Sequence, residues 1–292
     1  MEGENPGARR VVVTGATNGI GLAAARALAA RGVSLAIVAR SQARATAARS
    51  RIEAAAAGGA TVDVLIADLA SQASVRSLAA EVLDRYPRVD ALVNNAGAVH
   101  TTRQTTVDGI ELTWAVNHLA PFLLTTLLLD RLKESAPARV VTTASDAHRG
   151  ARIPFHDINA ERSYSGRGFG RYGETKLANI LFTVELARRL ANTGVTANCF
   201  HPGFVATGFN RNNEWLMRLA MIVVSPLARS PEKGAETLVW LVDSPEVAGE
   251  TGGYFLDRRR QAPSPEAQDL EAARRLWDLS EEQTRASAPS GG

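Results

Sequence analysis

Short apolar runs rich in β-branched residues alternate along this chain with longer segments of helical spacing. Val11–Val13, Ser34–Ala39, Thr61–Ile66, Ala91–Val93, Arg139–Thr143, Thr196–Phe200 and Gly253–Leu256 read as strands. Ile20–Arg31, Gln42–Ala57, Ser74–Tyr86, Gly109–Lys133, Tyr172–Asn192 and Glu232–Asp243 read as the helices between them. A short run without polar alternation suits a strand buried on both faces. Helices of roughly 12 residues between such strands are the crossovers that a parallel sheet needs. The pattern predicts an α/β doubly wound Rossmann fold: a mostly parallel sheet of about seven strands with helices on both faces.

Two segments break the rhythm. Gly150–Arg171 carries Gly, Arg, Asp and aromatics without a period, and Phe204–Ser230 holds an apolar cluster at Trp215–Val224. Long irregular insertions in a compact fold are often functional. The cluster reads as a lid with an apolar inner face over a lipophilic substrate; plain packing or a membrane-touching patch is the alternative. Residues 1–260 are expected to form one domain that includes the loop 204–230. Residues 261–292 are expected to be a polar C-terminal extension with one short helix, Asp269–Leu279, carrying Leu270, Ala273, Leu276 and Trp277 on one side.

Composition narrows the class. Of 292 residues, 45% are hydrophobic and 22% charged, which excludes a mostly disordered chain. Lys and Arg number 33 against 30 acids, a net charge of +3 without a basic block, so no nucleic acid is expected as partner. The single cysteine, Cys199, excludes an intramolecular disulfide and fits a reducing cytoplasm. The five histidines show no metal-ligand spacing, so no metal is assigned. The apolar runs around Leu119–Leu129 and Leu216–Val224 are short of the roughly 20 residues of a transmembrane segment. Met1–Arg10 lacks the apolar core of a signal peptide, and a cytoplasmic location is expected.

Between the first strand and the first helix lies Thr14-Gly15-Ala16-Thr17-Asn18-Gly19-Ile20-Gly21. Gly15, Gly19 and Gly21 permit a tight turn and let backbone approach a pyrophosphate, which the helix N-terminus then faces with unpaired N–H groups. Thr17, Asn18 and Ile20 complete this candidate nucleotide loop. The second strand ends in Arg40 instead of the carboxylate that would hold the ribose hydroxyls of NAD. A guanidinium suits a 2′-phosphate, so the cofactor reads as NADP(H). Asp68 and Leu69, after the third strand, are read as a helix cap, an adenine contact, or both.

The glycine pattern, Asn94-Asn95-Ala96-Gly97 and Tyr172-x-x-x-Lys176 together resemble the short-chain dehydrogenase/reductase family, over about Val11 to Asp257. Val116-Asn117-His118-Leu119, Ser145-Asp146-Ala147-His148, Lys176–Phe182, His201-Pro202-Gly203 and Arg275-Leu276-Trp277 resemble its retinol dehydrogenase branch. The resemblance implies a catalytic set of Asn117, Ser145, Tyr172 and Lys176. Tyr172 and Lys176 share a helix face. A phenol titrates too high to serve near neutral pH, and a neighbouring ammonium is expected to lower its pKa. Ser145 would hold the substrate oxygen. Asn117 would bend its helix and hold water beside Lys176. Asn95, Ala96 and Gly97 join the cofactor site, and Pro202, Gly203, Val205 and Thr207 would form the loop on the nicotinamide. Two positions depart from the family pattern: Ala144, where relatives often have a second serine, and Asn18, where some NADP enzymes place a basic residue.

The implied activity is interconversion of a lipophilic aldehyde or ketone and its alcohol by hydride transfer, with Tyr172 as acid and base. Reduction of a carbon–carbon double bond, or a non-catalytic NADP-binding sensor, are the alternatives. The partner is a small lipophilic substrate. The chain is expected to be a monomer or a homodimer, because Leu177, Ile180, Leu181 and Val184 form a stripe that suits either a partner helix or the protein's own core.

Overall fold

The computed structural model describes residues 9–164, 166–205 and 229–285. Strands β1 (Arg10–Thr14), β2 (Ser34–Ala39), β3 (Val62–Ile66), β4 (Ala91–Asn94), β5 (Ala138–Thr143), β6 (Val195–Phe200), β7 (Tyr254–Leu256) and β8 (Arg259–Gln261) make one sheet. Their order is β3-β2-β1-β4-β5-β6-β7-β8. All neighbours pair in parallel except β7 and β8. The doubly wound prediction holds, with the order reversing between β1 and β4, where such sheets open a crevice at the strand C-termini.

The eighth strand is the departure from the expected seven. β8 reads Arg-Arg-Gln, all three exposed, so it carries no apolar signal. Asp257 and Arg258, at φ +51° and +59°, turn the chain into it without the glycine that would mark a hairpin. A charged edge strand also resists pairing with other chains.

The helices are α1 (Gly19–Ala29), α2 (Gln42–Glu53), α3 (Gln72–Arg85), α4 (Leu112–Glu134), α5 (Phe169–Arg189), α6 (Pro231–Asp243) and α7 (Leu270–Thr284). Alternate strand residues feed two cores. Val11, Val13, Leu35, Ile37 and Val93 meet α1, α2 and α6 on one face. Val12, Ala36, Val38, Leu92 and Val140 meet α3, α4 and α5 on the other. Trp277 of α7 closes that second core, stacked on Phe182 and edge-on to Phe122. Ala273, Leu276 and Trp277 are buried as the apolar stripe predicts, whereas Leu270, in the first turn, is half exposed. Leu177, Ile180 and Leu181 are buried in a cluster shared with Ala273 and Leu276, so α7 covers part of the α5 stripe.

Helix α4 corrects the expectation that no segment is long and apolar enough to span a membrane. Its 23 residues pass by length and composition, and most of its apolar stretch is buried inside the protein. Asn117 and His118 interrupt the apolar run in the sequence, yet both are fully buried. The apolar cluster Trp215–Val224 lies outside the described residues.

Candidate active site

The glycine loop is packed against the end of β4. Gly15 and Gly19 have φ of +71° and +49°, which favours glycine. A Cβ on Gly15 would lie 2.8 Å from Ala96 Cα, and one on Gly21 would lie 2.5 Å from Asn95 Nδ2. Thr14 ties the two segments. Its hydroxyl donates to the Val93 carbonyl at 3.2 Å and accepts the Asn95 and Ala96 N–H groups at 3.0 and 3.1 Å. The Asn95 amide donates to the Thr14 and Gly15 carbonyls, both at 3.2 Å, and accepts the Thr143 hydroxyl at 3.3 Å. Asn95 therefore binds the loop, β4 and β5 together with its own side chain. The first turn of α1 carries no acid, and its N-cap residue Asn18 makes no side-chain cap. An uncapped helix N-terminus at a glycine turn is suited to phosphate.

One cavity of about 1440 Å³ runs along this edge of the sheet. Gly15, Thr17, Asn18, Gly19, Ile20 and Gly21 line it, with Arg40 beyond them and Asp68, Leu69, Asn95, Ala96 and Gly97 alongside. Ser145, Tyr172, Lys176, Pro202, Gly203 and Val205 line the other end. Of the expected site residues, Asn117 lies behind this wall and Thr207 lies outside the described residues. Asp68 does not cap α3. Its Oδ1 accepts the Ala70 N–H at 3.0 Å in a local turn, and Ser71 is the cap.

Ser145 follows β5 and is the N-cap of a single turn, Asp146–His148. It is hydrogen-bonded to the Tyr172 hydroxyl. Lys176, one helical turn on, is buried. Its ammonium donates to the Thr143 carbonyl at 2.9 Å and lies 5.4 Å from the centre of the Tyr172 ring. The expected lowering of the Tyr172 pKa is absent from the protein alone. Burial pushes Tyr172 up to about 12, with the Ser145 hydrogen bond working against it. Burial also lowers Lys176 to about 8. Desolvation of the two groups outweighs their mutual effect at this separation.

Asn117 sits at the centre of a π-helical turn, Ala115–Leu119, inside α4. A wide turn of this kind loosens the regular hydrogen-bond ladder. The side chain is bonded to protein groups. Its oxygen accepts the Ala98 N–H at 2.8 Å, and its amide donates to the Ala98 carbonyl at 2.9 Å and to Thr175 Oγ1 at 3.1 Å. Asn117 thereby locks the segment that leaves Gly97 onto both α4 and α5.

Several cavity residues carry no readable sequence motif. Arg44, on the first turn of α2, lines the same end as Arg40; its four-residue spacing from Arg40 was the available signal. Phe169 and Phe204 are half exposed and line the opposite end with Val116 and His201. Beneath them, Arg171 and Glu111 form a fully buried ion pair at 2.7 Å. Glu111 caps α4 through the Thr113 and Trp114 N–H groups, both at 2.8 Å. Arg171 also bonds Glu174 and the Ile158 carbonyl and lies over the Trp114 ring. This pair joins the helix of Asn117, the helix of Tyr172 and the insertion 150–171.

The sequence matches the short chain dehydrogenase family over residues 9–215. The chain belongs to the short-chain dehydrogenase/reductase family and is an oxidoreductase acting on CH–OH or C=O groups, with a nicotinamide cofactor. Within the family it is retinol dehydrogenase-like. It is 43% identical to mouse (Mus musculus) retinol dehydrogenase 14, over 96% of this chain and 87% of that protein. It is 40% identical to human (Homo sapiens) retinol dehydrogenase 13, over 97% of this chain and 86% of that protein. Among solved structures, a short chain dehydrogenase from Burkholderia cenocepacia J2315 in complex with NADP superposes with a TM-score of 0.67 at 29% identity, covering 85% of this chain and 95% of that one.

Proposed function

We propose that this protein uses NADP(H) to interconvert a lipophilic aldehyde or ketone and its alcohol, with Tyr172 as the acid and base. One observation carries this: a single cavity joins Arg40 and Arg44 at one end to Ser145, Tyr172 and Lys176 at the other, through a glycine cradle with no room for side chains. Among the described residues neither Arg40 nor Arg44 is in an ion pair, and no carboxylate ends β2. Two guanidinium groups at that rim suit a 2′-phosphate. The glycine loop and the α1 N-terminus would hold the pyrophosphate, and Lys176 and the Pro202-Gly203 loop would hold the nicotinamide half. The retinol dehydrogenases to which the chain is similar and the apolar lining from Val116, Phe169 and Phe204 support a lipophilic substrate.

When bound, the nicotinamide supplies a hydride to the carbonyl carbon or takes one from the alcohol. In reduction, Tyr172 gives its phenolic proton to the substrate oxygen, and Ser145 donates a hydrogen bond to that oxygen as charge builds there. The raised pKa keeps Tyr172 protonated at neutral pH, the form that reduction needs. The Lys176 ammonium stabilises the phenolate that remains. In oxidation the same groups run in reverse.

The test is consumption of reduced cofactor followed by absorbance, with NADPH or NADH and a panel of lipophilic aldehydes, ketones and quinones. Turnover with NADPH well above NADH, lost in Tyr172→Phe, is expected, with an alcohol as product. A product with a saturated carbon–carbon bond would replace this reading with the double-bond reductase. NADPH binding without turnover on any substrate would favour the sensor.

A further inference from the structure

His148 is fully buried on the turn that follows Ser145. Its Nε2 receives the backbone N–H of Ser264 at 3.0 Å. A backbone amide only donates, so Nε2 carries no proton, and the proton of the neutral ring is on Nδ1. That proton points to the Ser145 carbonyl, 2.7 Å away. The same carbonyl accepts the His148 backbone N–H at 3.2 Å. The ring stands edge-on to Tyr254 of β7 at 5.2 Å between centroids, which fixes its plane. Burial holds His148 below the usual imidazole range, in keeping with a neutral ring.

Ser264 belongs to the segment after β8 and directly precedes the turn Pro265–Gln268, from which α7 follows. Trp277 anchors α7 in the core beside Phe122 and Phe182. A chain of contacts thus runs from the C-terminal core through Ser264 and the His148 ring to the backbone of Ser145. We propose that His148 is a positioning residue, a neutral Nδ1–H imidazole that holds the Ser145 backbone in place by bracing it against the C-terminal segment. This rests on the reading of Ser145 as the group that holds the substrate oxygen.

Two substitutions separate its two bonds. His148→Asn places an amide near Nδ1 and keeps a donor for the Ser145 carbonyl. His148→Gln reaches the Nε2 position and keeps an acceptor for Ser264. In the full-length protein at saturating NADPH, His148→Gln is expected to lower kcat about tenfold to a hundredfold, the scale of a small misplacement of a reacting group. His148→Asn recovers a large part of that loss, while NADPH affinity and Tm stay close in the two variants. Equal kcat in the two variants, or a kcat that simply follows Tm, overturns the proposal. The ¹⁵N shifts of the wild-type imidazole decide the tautomer without any turnover: Nδ1–H is expected, and Nε2–H overturns the brace. A wild type that turns over nothing would sink the catalytic reading of Ser145, and the tautomer measurement would still judge the brace.

Discussion

Gly21 presses on the turn that Gly15 begins: a Cβ on Gly21 would overlap the Gly15 carbonyl oxygen and meet Asn95 Nδ2 at 2.5 Å. The contact is to backbone and to an amide already bonded to the Thr14 and Gly15 carbonyls, so neither neighbour yields cheaply. Gly21→Ala is expected to shift the loop, destabilise the fold by about 1–3 kcal/mol and weaken NADPH binding tenfold or more. Thermal unfolding and a fluorescence titration with NADPH check both effects. An alanine variant that binds NADPH as tightly as the wild type would contradict this.

The proposed NADP(H) preference would rest on Arg40 and Arg44, which line the cavity. Hydrogen bonds to charged groups contribute about 1.5–3 kcal/mol each. Arg40→Ala is expected to raise the KM for NADPH about tenfold to a hundredfold and to leave the KM for NADH nearly unchanged. Arg44→Ala should act in the same direction, and the double variant should lose its preference. Steady-state kinetics with both cofactors decides this, and a parallel loss with NADH would refute it.

Lys176 is expected to set the alkaline limit of the proposed carbonyl reduction. Burial lowers its pKa to about 8, whereas Tyr172 stays protonated up to about 12. Reduction needs both protons in place, so kcat/KM is expected to fall as pH rises through about 8, because Lys176 loses its charge first. Lys176→Arg, which stays charged, should remove that inflection even if its rate is lower. A pH profile of kcat/KM for both proteins is the measurement.

Glu111 and Arg171 share a buried ion pair at 2.7 Å between α4 and α5. Removing Arg171 leaves Glu111 as an uncompensated buried charge, and removing Glu111 leaves Arg171 with Glu174 alone, each at a cost of about 3–5 kcal/mol. Arg171→Met and Glu111→Gln should each destabilise by that order, and the double variant by less than the sum. Denaturant unfolding tests the cycle. Strictly additive losses would mean that the two side chains do not act as a unit.

Trp277 closes the second core against Phe122 and Phe182. Trp277→Ala is expected to cost about 3–5 kcal/mol. A loss under about 1 kcal/mol, the scale of surface substitutions, would show that α7 is held loosely.

The helices and parallel strands were legible because each buried strand is a near-continuous apolar run and each helix carries an apolar stripe. Most boundaries shifted by one to five residues: Gln42–Ala57 ends at Glu53, and Asp269–Leu279 extends to Thr284. β8 was invisible because Arg259, Arg260 and Gln261 are held by pairing with β7, and pairing leaves no mark on composition. In the candidate site, Ser145, Tyr172 and Lys176 were legible through the family resemblance, and the glycine loop through its place after β1. Asn117 was singled out, but its three bonds to Ala98 and Thr175 join segments distant in sequence. The same holds for Glu111 with Arg171, and for His148 with Ser264. Such partnerships exist only after folding, and spacing along the chain does not encode them.

The placement of α7 also bears on synthesis. The core under Phe122 and Phe182 is completed by Trp277, which follows both of them far along the chain. A nascent chain emerging from the ribosome can pair β1 to β6 but leaves those aromatic rings uncovered until α7 has followed. Folding of that core is therefore tied to synthesis of α7, and a message truncated before α7 would yield a protein with an open apolar face, a substrate for chaperones and proteases in place of an oxidoreductase.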